Sequence, residues 1–423
     1  AAGLLAAARA AERGRKTLLL EKNRKPGVKI LMSGGTRCNL TQNTDARGIV
    51  EAFGAQGRFL HSALAALGPQ DLVELFAAEG VPVKVEATGK IFPSSDKADD
   101  VLQALLRRLK RCGGTLAVGE EVRGISKHNE DFQVATSERT LSAASVLLTT
   151  GGQSYPGCGT RGDGYAWANA LGHTIVRPRP ALVPITTNAA WVHSLKGITV
   201  PDVKVRVTEA TLPLSHAVPA DGSASIRASI GSKGRRRDGW RGERRGSFLF
   251  THFGISGPAV LDVSREITGH PQPDRLELEC DFLPFLDDAE FDQVLRRASQ
   301  QSGGKGIVTQ LPGDLPRRLV DVLCSRAEIE PNLRVAEMSV AQRVRIVQTF
   351  KHCQIPVSGT LGFPKAEVTA GGVQLDEVDS RTMESRVVPG LFLAGEILDL
   401  DGPIGGYNFQ AAFSTAWLAG ANV

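Results

Sequence analysis

The chain has 423 residues, 42% of them hydrophobic, and a formal net charge of +5. This length is sufficient for two or three domains, each with a core of its own, and no apolar run reaches the roughly 18 residues that a membrane span requires. The six cysteines contain no C-x-x-C pair, which indicates a reducing, cytoplasmic location and argues against a structural zinc site and against the dithiol chemistry of disulfide reductases.

The first predicted elements form half of a dinucleotide-binding unit. An alanine-rich helix over 1–13, closed by Gly14, precedes a buried strand over 17–21 that ends in Glu21. In such a βαβ unit the last glycine of G-x-G-x-x-G allows close packing of helix and strand, and an acid about 20 residues later accepts ribose hydroxyls. Gly3 and Glu21 have this spacing. We expect the first strand and the first two glycines to precede residue 1.

A glycine-rich loop follows at 32–41. Gly34 and Gly35 allow backbone amides to face an anion there, and Arg37 supplies a positive charge. Beyond the loop the pattern predicts helices at 70–79 and 97–112, a β-rich passage at 81–92, and strands at 115–118, 131–136 and 145–150. The last strand runs into Gly151. This order resembles that of the FAD half of a two-dinucleotide-type flavoprotein, in which a late strand ends at the cofactor.

A second glycine pattern lies at 157–162, which spells G-x-G-x-x-G before a helix predicted at 163–171. Arg177 lies downstream, where the 2′-phosphate of NADP would bind. The fingerprint requires that the strand deliver the glycine loop directly to the pyrophosphate, but this strand ends earlier, at Thr150. We therefore favour a glycine-rich turn over a nicotinamide site.

The middle of the chain has a different pattern of apolar and turn residues. We predict that residues 186–354 form an insert that interrupts the surrounding domain. Short alternating strands over 186–280 predict a small β-barrel, and helical periodicity over 285–350 predicts a helical subdomain. The interrupted domain then consists of 1–185 and 355–423.

Within the insert, residues 232–246 hold seven basic and two acidic residues, so the rest of the chain is neutral. Such an Arg/Gly-rich stretch with one tryptophan is able to grip phosphates. A nucleic-acid surface normally spreads its basic residues over several elements. We therefore favour a solvated loop between two strands.

The C-terminal segment carries the strongest functional signal. A short apolar strand over 391–394 ends at Gly395 and Glu396, and a loop then brings Gly405 and Gly406 to the start of an alanine-rich helix. The carboxylate suits ribityl-type hydroxyls. The bare glycine backbone lets the positive helix N-terminus approach a ring that becomes anionic on reduction. The segment therefore predicts a bound flavin.

Seven segments along nearly the whole chain share one order with a known family: Leu-Leu-Glu-Lys-Asn at 19–23, Ser-Gly-Gly-Thr-Arg-Cys-Asn at 33–39, Phe-Pro-Ser-Ser-Asp-Lys-Ala at 92–98, Thr-Gly-Gly-Gln-Ser-Tyr-Pro at 150–156, Thr-His-Phe-Gly-Ile-Ser-Gly-Pro at 251–258, Thr-Ala-Gly-Gly-Val at 369–373 and Ala-Gly-Glu-Ile-Leu-Asp-Leu-Asp-Gly-Pro-Ile-Gly-Gly-Tyr-Asn at 394–408. The chain resembles the bacterial NAD(P)/FAD-dependent oxidoreductases of the BaiN/RdsA kind. It departs from them at Thr149, where the family tends to have alanine, and in its Arg-rich loop.

The resemblance implies an α/β fold: a Rossmann-type FAD-binding domain of glutathione-reductase-like layout, interrupted by an inserted small β-barrel plus a helical subdomain. It implies FAD as the cofactor and allows NAD(P)H as a transient donor. At the adenosine end it places Gly3, Glu21 and Lys22, with the Val122 backbone at the adenine. Near the pyrophosphate or flavin it places Gly34, Gly35 and Arg37, and beside the dinucleotide Gly151. At the ribityl–phosphate stretch it places Gly395 and Glu396, and at the isoalloxazine Gly405, Gly406, Asn408 and Phe409.

No catalytic residue follows from the pattern, because flavin chemistry requires of the protein mainly position and a proton. His252 and Tyr407 are candidate proton donors. A hydrogen-bonded histidine closing a strand and a tyrosine packed beneath the ring are their structural alternatives. For Cys38 a buried inert thiol is the favoured reading. Tyr155 and Lys365 carry weaker signals.

We predict an FAD-dependent oxidoreductase that takes a hydride from a reduced donor, NAD(P)H by preference, and passes it to a small organic acceptor. One alternative is a flavin oxidase that returns electrons to oxygen. Another is a flavin-bound RNA-interacting protein that uses residues 232–246. We expect neither a membrane nor a metal partner.

Overall fold

The computed structural model describes residues 1–210, 243–301, 313–330 and 333–423. The chain divides into two compact units, which we call the N/C unit (Ala1–Val183 with Gly362–Val423) and the central unit (Pro184–Leu361). We expected the return junction at 354/355. It lies at 361/362 instead, because the intervening residues are paired strands of the central unit.

The first part of the N/C unit contains seven helices among its described residues: α1 (Ala2–Glu12), α2 (Val28–Met32), α3 (Ala46–Ala52), α4 (His61–Ala66), α5 (Pro69–Ala78), α6 (Ala98–Arg111) and α7 (Asp163–Ala170). Its strands are β1 (Leu18–Glu21), β2 (Thr41–Gln42), β3 (Val83–Val85), β4 (Lys90–Pro93), β5 (Thr115–Val118), β6 (Val122–His128), β7 (Asp131–Thr136), β8 (Thr140–Ala143), β9 (Val146–Leu148) and β10 (Ile175–Ala181).

The central unit contains α8 (Ala190–Ser194), α9 (Pro258–Gly269), α10 (Asp288–Gln301), α11 (Arg317–Arg326) and α12 (Val340–Lys351), with strands β11 (Ile185–Thr186), β12 (Thr199–Glu209), β13 (Arg244–Phe250), β14 (Gly254–Ser256), β15 (Leu276–Asp281), β16 (Cys353–Pro356) and β17 (Gly359–Thr360). The chain then returns to the N/C unit in β18 (Val368–Val373), β19 (Leu391–Leu393) and α13 (Tyr407–Asn422).

The N/C unit contains two parallel strand pairs: β1 with β5, and β9 with β19. The start of α1 packs against both pairs. A Cβ added at Gly3 would lie 2.7 Å from Oγ1 of Thr149, which follows β9, and 3.2 Å from Cδ1 of Leu19 in β1. Only glycine permits this approach, as the spacing of Gly3 and Glu21 predicts.

The two ends of the chain pack on each other. The helices α1 and α13 are both rich in alanine, a residue that favours helix formation and is small enough to let two helices approach closely. A Cβ added at Gly420 of α13 would lie 2.5 Å from the carbonyl oxygen of Ala6 in α1. Farther along, the guanidinium of Arg9 lies 4.4 Å from the ring centroid of Trp417. The predicted α/β class is confirmed.

The central unit is built on an antiparallel sheet in the order β16-β15-β12-β13-β14-β11-β17. Its two end strands are consecutive in sequence. The N–H of Val357 donates to the carbonyl of Leu276 at 3.0 Å, and the N–H of Ser358 donates to the carbonyl of Thr186 at 2.9 Å. The segment 353–360 therefore bonds to both β15 and β11, and the sheet curls. A closed barrel remains a prediction.

The sequence pattern missed two helices in this unit, the short α8 and the longer α9. Residues 186–280 were predicted as strands and turns, but α9 lies within them and buries Val260, Val263 and Ile267 against the sheet. Its start signal is Pro258, the first helical residue, after Gly257 at φ 98°. The predicted helical stretch at 285–350 contains α10, α11 and α12. Within the described ranges, no helix is long and apolar enough to cross a bilayer.

Candidate functional site

A cleft of about 1520 Å³ opens in the N/C unit. All fourteen residues that the sequence predicts as cofactor contacts line it, from Gly3 and Glu21 at one end to Gly406 and Phe409 at the other. They come from both ends of the chain and from the loops between. The fold thus brings the complete predicted set together around one space.

At one end of the cleft, polar contacts hold the residue at the tip of β1. Oε1 of Glu21 accepts a hydrogen bond from the N–H of Asn23 at 2.9 Å, which orients the carboxylate. Lys22 forms an ion pair with Asp163 in the first turn of α7. The Lys22 charge is therefore shared with a protein carboxylate. Val122, at the start of β6, lines the same end.

The second glycine pattern, 157–162, forms part of this cleft wall. The carbonyl of Cys158 accepts a hydrogen bond from Nδ2 of Asn23 at 2.9 Å, and Gly159 and Thr160 line the cleft. Arg177, in β10, does not line it. The segment therefore borders the cleft that the fourteen residues line, next to the β1 tip.

The glycine-rich loop after α2 has four residues in the left-handed backbone region: Gly34 (φ 55°), Gly35 (φ 67°), Thr36 (φ 71°) and Cys38 (φ 61°). For the two residues with side chains this conformation is strained, and such strain concentrates at functional sites. Burial raises the pKa of the Cys38 thiol to about 12. Cys38 is therefore an unreactive thiol near neutral pH.

Arg37 makes two kinds of protein contact. Its guanidinium lies 4.0 Å from the ring centroid of Phe92, and Nη1 donates to Glu86 at 2.6 Å. The hydrogen bond to Glu86 raises the pKa of Arg37. Arg37 lines the cleft as a positive charge already paired with a carboxylate.

Glu396 is the most completely held carboxylate of the cleft. Its Oε1 accepts from Oγ of Ser154 and from the N–H of Thr369, both at 2.9 Å. Its Oε2 accepts from Nζ of Lys29 at 2.5 Å. Two carboxylate oxygens accept about four hydrogen bonds, so one position remains for a hydroxyl in the cleft. An added Cβ at Gly151 would lie 4.0 Å from Oε2, so Gly151 borders this position.

The N-terminus of α13 faces the other end of the cleft. Gly406 has φ 94°, and a Cβ there would lie 2.5 Å from the carbonyl oxygen of Thr41. The helix has no side-chain cap and no acidic residue in its first turn, so its N-terminal amides and partial positive charge are not neutralised by its own side chains. The side chain of Asn408 bonds Gly402 and Pro403 and so holds the preceding loop.

Asn39 presents an acceptor that no part of the described chain satisfies. Its side chain is nine-tenths buried and lines the cleft, and its Oδ1 has no hydrogen-bond partner among the described residues. An unpaired buried acceptor costs about 1–3 kcal/mol. A ligand N–H in the cleft would remove this cost.

Of the two predicted proton donors, Tyr407 belongs to the N/C unit and His252 to the central unit. Tyr407 does not line the cleft and packs against the apolar core beneath it, next to Gly405. His252 is exposed in the turn between β13 and β14, with its ring against Phe253. Lys365 is exposed and does not line the cleft.

Sequence reasoning missed Lys29, Ser154 and Asn39 as site residues. Ser154 and Asn39 lie inside two of the family segments, at 150–156 and 33–39, so their position was visible but not their role. Lys29 gave no signal, because it meets Glu396 across 367 positions of sequence.

The residues fit FAD. The volume exceeds the roughly 300–1000 Å³ of pockets for smaller ligands, as a dinucleotide requires. Glu21 and Glu396 offer carboxylates for the hydroxyls of ribose and ribityl. The uncapped N-terminus of α13 suits an anionic ring, and the orphaned Oδ1 of Asn39 suits a ring N–H.

Comparison with known proteins agrees with this geometry. Residues 1–422 match the family described as HI0933-like protein Rossmann domain. The chain is 31% identical to the "Ribosomal RNA dihydrouridine synthase" of Escherichia coli (strain K12) over 421 residues, covering 99% of this chain and 94% of that protein. It is 30% identical to the "3-dehydro-bile acid delta(4,6)-reductase" of Clostridium scindens over 423 residues, which covers 99% of this chain and 96% of that protein.

Among solved structures, the 3-ketosteroid-delta4-(5alpha)-dehydrogenase of Rhodococcus jostii RHA1 aligns with a TM-score of 0.44 and 14% identity, covering 100% of this chain and 93% of that one. The family predicted from the sequence segments is confirmed by the match over residues 1–422. The chain therefore belongs to the HI0933-like Rossmann family and is an FAD-dependent oxidoreductase.

Proposed function

We propose that the chain catalyses the NAD(P)H-driven reduction of an organic acceptor at FAD, and that the bond reduced is a carbon–carbon double bond conjugated to a carbonyl group. The observation that carries the proposal is the single cleft lined by residues from both ends of the chain, with Glu21 and Glu396 as hydroxyl acceptors and the α13 N-terminus at one end.

The names of the two relatives support the choice of bond. Dihydrouridine is uridine with the double bond next to a ring carbonyl saturated. A delta(4,6)-reductase of a 3-dehydro compound reduces double bonds conjugated to a ketone. This chain is almost equally similar to the two proteins, at 31% and 30% identity. The bond chemistry that their names share is therefore the part that we carry over.

In this proposal, the residues of this chain bind the cofactor and orient it. Bound FAD would supply the hydride, after receiving it from NAD(P)H. Lys29 and Ser154 fix Glu396 at the ribityl stretch, and Asn408 holds the loop before Gly405. With FAD bound, the amides at the start of α13 would favour negative charge on the ring and so the reduced form.

A specific observation favours RNA as a second acceptor class. One relative is named for ribosomal RNA, and residues 232–246 carry seven basic and two acidic residues. Only 243–246 of that segment lie within the described residues. A small enone and a uridine in RNA present the same conjugated bond, so one experiment tests both.

The test is anaerobic rapid mixing of the FAD-loaded full-length protein. NADH or NADPH should bleach the flavin absorbance, and an acceptor with a conjugated double bond should then restore it. We would use 4-androstene-3,17-dione and an unmodified ribosomal RNA transcript, with 5,6-dihydrouridine as the saturated control. Loss of bleaching with both nucleotides would contradict the proposal, as would reoxidation by neither acceptor.

The same mixing separates the oxidase alternative. An oxidase would show no turnover of NAD(P)H and would reduce oxygen rapidly after its own electron donor is added. If the RNA transcript is the acceptor, its affinity should fall steeply with salt, and deletion of 232–242 should remove most of that dependence. Reoxidation by the steroid alone, with no salt-dependent RNA binding, would dismiss the RNA class.

A further inference from the structure

A cluster of basic residues lies on the N/C unit, apart from the basic stretch at 232–246. Both α1 and α6 carry basic residues in their last turn, and the loops that follow them lead into β1 and β5, which pair in parallel. The N–H of Thr115 donates to the carbonyl of Thr17 at 3.0 Å, so the two loops lie side by side. We call the basic residues of these two segments the basic face: Arg9, Arg13, Arg15, Lys16, Arg107, Arg108, Lys110 and Arg111.

Side-chain contacts join the two halves of the basic face. Nη2 of Arg108 in α6 donates to Oε1 of Glu12, the last residue of α1, at 3.1 Å. The guanidinium groups of Arg9 and Arg108 lie 4.4 and 5.4 Å from the ring centroid of Trp417 in α13. The ends of α1 and α6 therefore meet at one aromatic ring, and the face is a single surface built from segments far apart in sequence.

The charge of the basic face is only partly compensated. Glu12 pairs with Arg9 and Arg108, and Glu79 pairs with Arg108 and Arg111. The eight basic residues and these two carboxylates give a net charge of +6, whereas the whole chain carries +5. A helix C-terminus is equivalent to about half a negative charge, so two helix ends do not account for this excess. Four exposed members make no ion pair among the described residues: Arg13, Arg15, Lys16 and Lys110.

The side chains of the basic face suit phosphate groups. Six of the eight are arginines, whose planar guanidinium binds two phosphate oxygens at once. Arg107, Lys110 and Arg111 have the i, i+3, i+4 spacing of one helix face. Both α1 and α6 lie wholly within the described residues, and neither exposes a large apolar side chain. A helix that binds a bilayer surface presents Trp, Phe or Leu beside its basic residues. The face therefore suits a polyanion in solution better than a membrane.

We propose that the basic face binds the phosphate backbone of RNA, an inference that rests on the RNA acceptor class of the proposed function. A nucleic-acid surface spreads its basic residues over several elements, and this face meets that requirement with two helices and the loops after them. Contacts to phosphates position a nucleic acid without reading its sequence. The face would therefore hold RNA on the N/C unit, and its binding would weaken with salt as each phosphate contact releases a bound cation.

The test measures filter binding of the unmodified ribosomal RNA transcript to the oxidised, FAD-loaded full-length protein, without NAD(P)H. The triple variant Arg13→Gln, Arg107→Gln, Lys110→Gln removes three exposed cations that pair with no carboxylate among the described residues. Each lost phosphate contact should lower the slope of log affinity against log salt by about 0.9, or about 2.7 in all. The affinity should fall on the order of 100-fold at about 100 mM salt and converge with that of wild type near about 1 M.

A matched control removes the same charge from the N/C unit outside the basic face. Arg58, Arg123 and Arg381 are exposed and do not line the cleft, so their joint replacement by glutamine should keep the wild-type slope. An equal loss of affinity in both triple variants would assign the effect to net charge and overturn the inference. Wild-type binding to vesicles of phosphatidylcholine and phosphatidylserine, without salt-dependent binding of RNA, would also overturn it.

Urea unfolding checks that the variants fold. If the triple variant of the basic face does not fold, Arg13→Gln and Lys110→Gln are measured separately, and each should lower the slope by about 0.9. Unchanged slopes in both would overturn the inference. Because no NAD(P)H is present, binding is measured apart from reduction. A flavin that NAD(P)H does not bleach would contradict only the proposed function, and unchanged RNA binding by the triple variant would overturn only the basic face.

Discussion

The cleft of the N/C unit and the groove of the central unit differ in how far the protein satisfies its own polar groups. The central groove, about 590 Å³, is lined by a network of closed ion pairs. Lys351 bonds Asp281 at 2.8 Å, and both ring nitrogens of His352 lie 2.9 Å from carboxylates, those of Glu279 and Asp288. The N/C cleft instead contains the buried Oδ1 of Asn39, which has no hydrogen-bond partner among the described residues.

This difference indicates what each cavity does. A closed charge network stabilises the unit that contains it and leaves little for a ligand to bind. Buried polar atoms without partners are costly, so a chain retains them where a ligand supplies the partner. We therefore expect changes in the central groove to alter folding stability, and changes in the N/C cleft to alter FAD binding and turnover.

The largest effect should come from Lys351→Met. Nζ of Lys351 bonds Asp281 and the carbonyls of Leu283 and Leu286, and both charged side chains are more than nine-tenths buried. Removing this cation leaves the buried Asp281 carboxylate without its closest positive charge, which costs up to about 3–5 kcal/mol. Urea unfolding would measure this loss. Lys204→Met is the control, because Lys204 is only partly buried and its Nζ lies 4.0 Å from the Asp281 carboxylate, farther than that of Lys351. A drop in FAD affinity without a loss of stability would contradict the assignment of the groove.

The next effect should come from Gly406→Ala. The added Cβ would overlap the carbonyl of Thr41, and residue 406 would keep a φ of 94°, which is strained for alanine. The left-handed strain and the forced shift of the helix start should weaken FAD binding on the order of 100-fold. Quenching of flavin fluorescence would measure it. Gly14 has a similar φ of 83° with nothing close to an added Cβ, and it does not line the cleft, so Gly14→Ala should leave FAD affinity unchanged.

A smaller effect should come from Lys29→Met. Glu396 loses one of its three donors but keeps Ser154 and the N–H of Thr369. Loss of one charge-assisted hydrogen bond in a partly exposed pair should weaken FAD binding about 10-fold. Lys25→Met is the control, because Lys25 is exposed and does not line the cleft. Unchanged FAD affinity in Lys29→Met would remove Glu396 from the cofactor site.

The smallest effect is a pH dependence in the central unit. The hydrogen bond to Glu279 raises the pKa of His352 above its ordinary 6.5, and the bond to Asp288 adds to it. Because the folded pKa is raised, this contribution to stability is complete below about pH 6.5 and is lost as the pH rises through the folded pKa. Urea unfolding between pH 6 and 9 should show a decline of about 1 kcal/mol or less that His352→Gln abolishes. An identical decline in the variant would assign it to other groups.

Much of the nucleotide-binding half could be predicted from local spacing. Gly3 and Glu21 lie on one helix–strand unit, and Gly406 lies on one loop–helix unit, so the backbone over short distances dictates where glycine and acid must stand. The family segments extended this reading over the whole chain, and the match over residues 1–422 confirms it.

The partners of these residues could not be predicted in the same way. Ser154 reaches Glu396 across 242 positions and Lys29 across 367, and no periodicity encodes such pairs. The helix α9 was missed because its burial against the central sheet outweighs the strand-like texture around it. The significance of Asn39 depends on the absence of a hydrogen-bond partner for its Oδ1 among the described residues, which only the three-dimensional structure shows.

The most direct measurement of the central claim is an experimental structure of the full-length protein saturated with FAD. The account predicts one FAD in the N/C cleft, with its ribose at Glu21, its ribityl chain at Glu396 and its ring at the start of α13. FAD bound in the central groove, or a cleft left empty at saturating FAD, would contradict it.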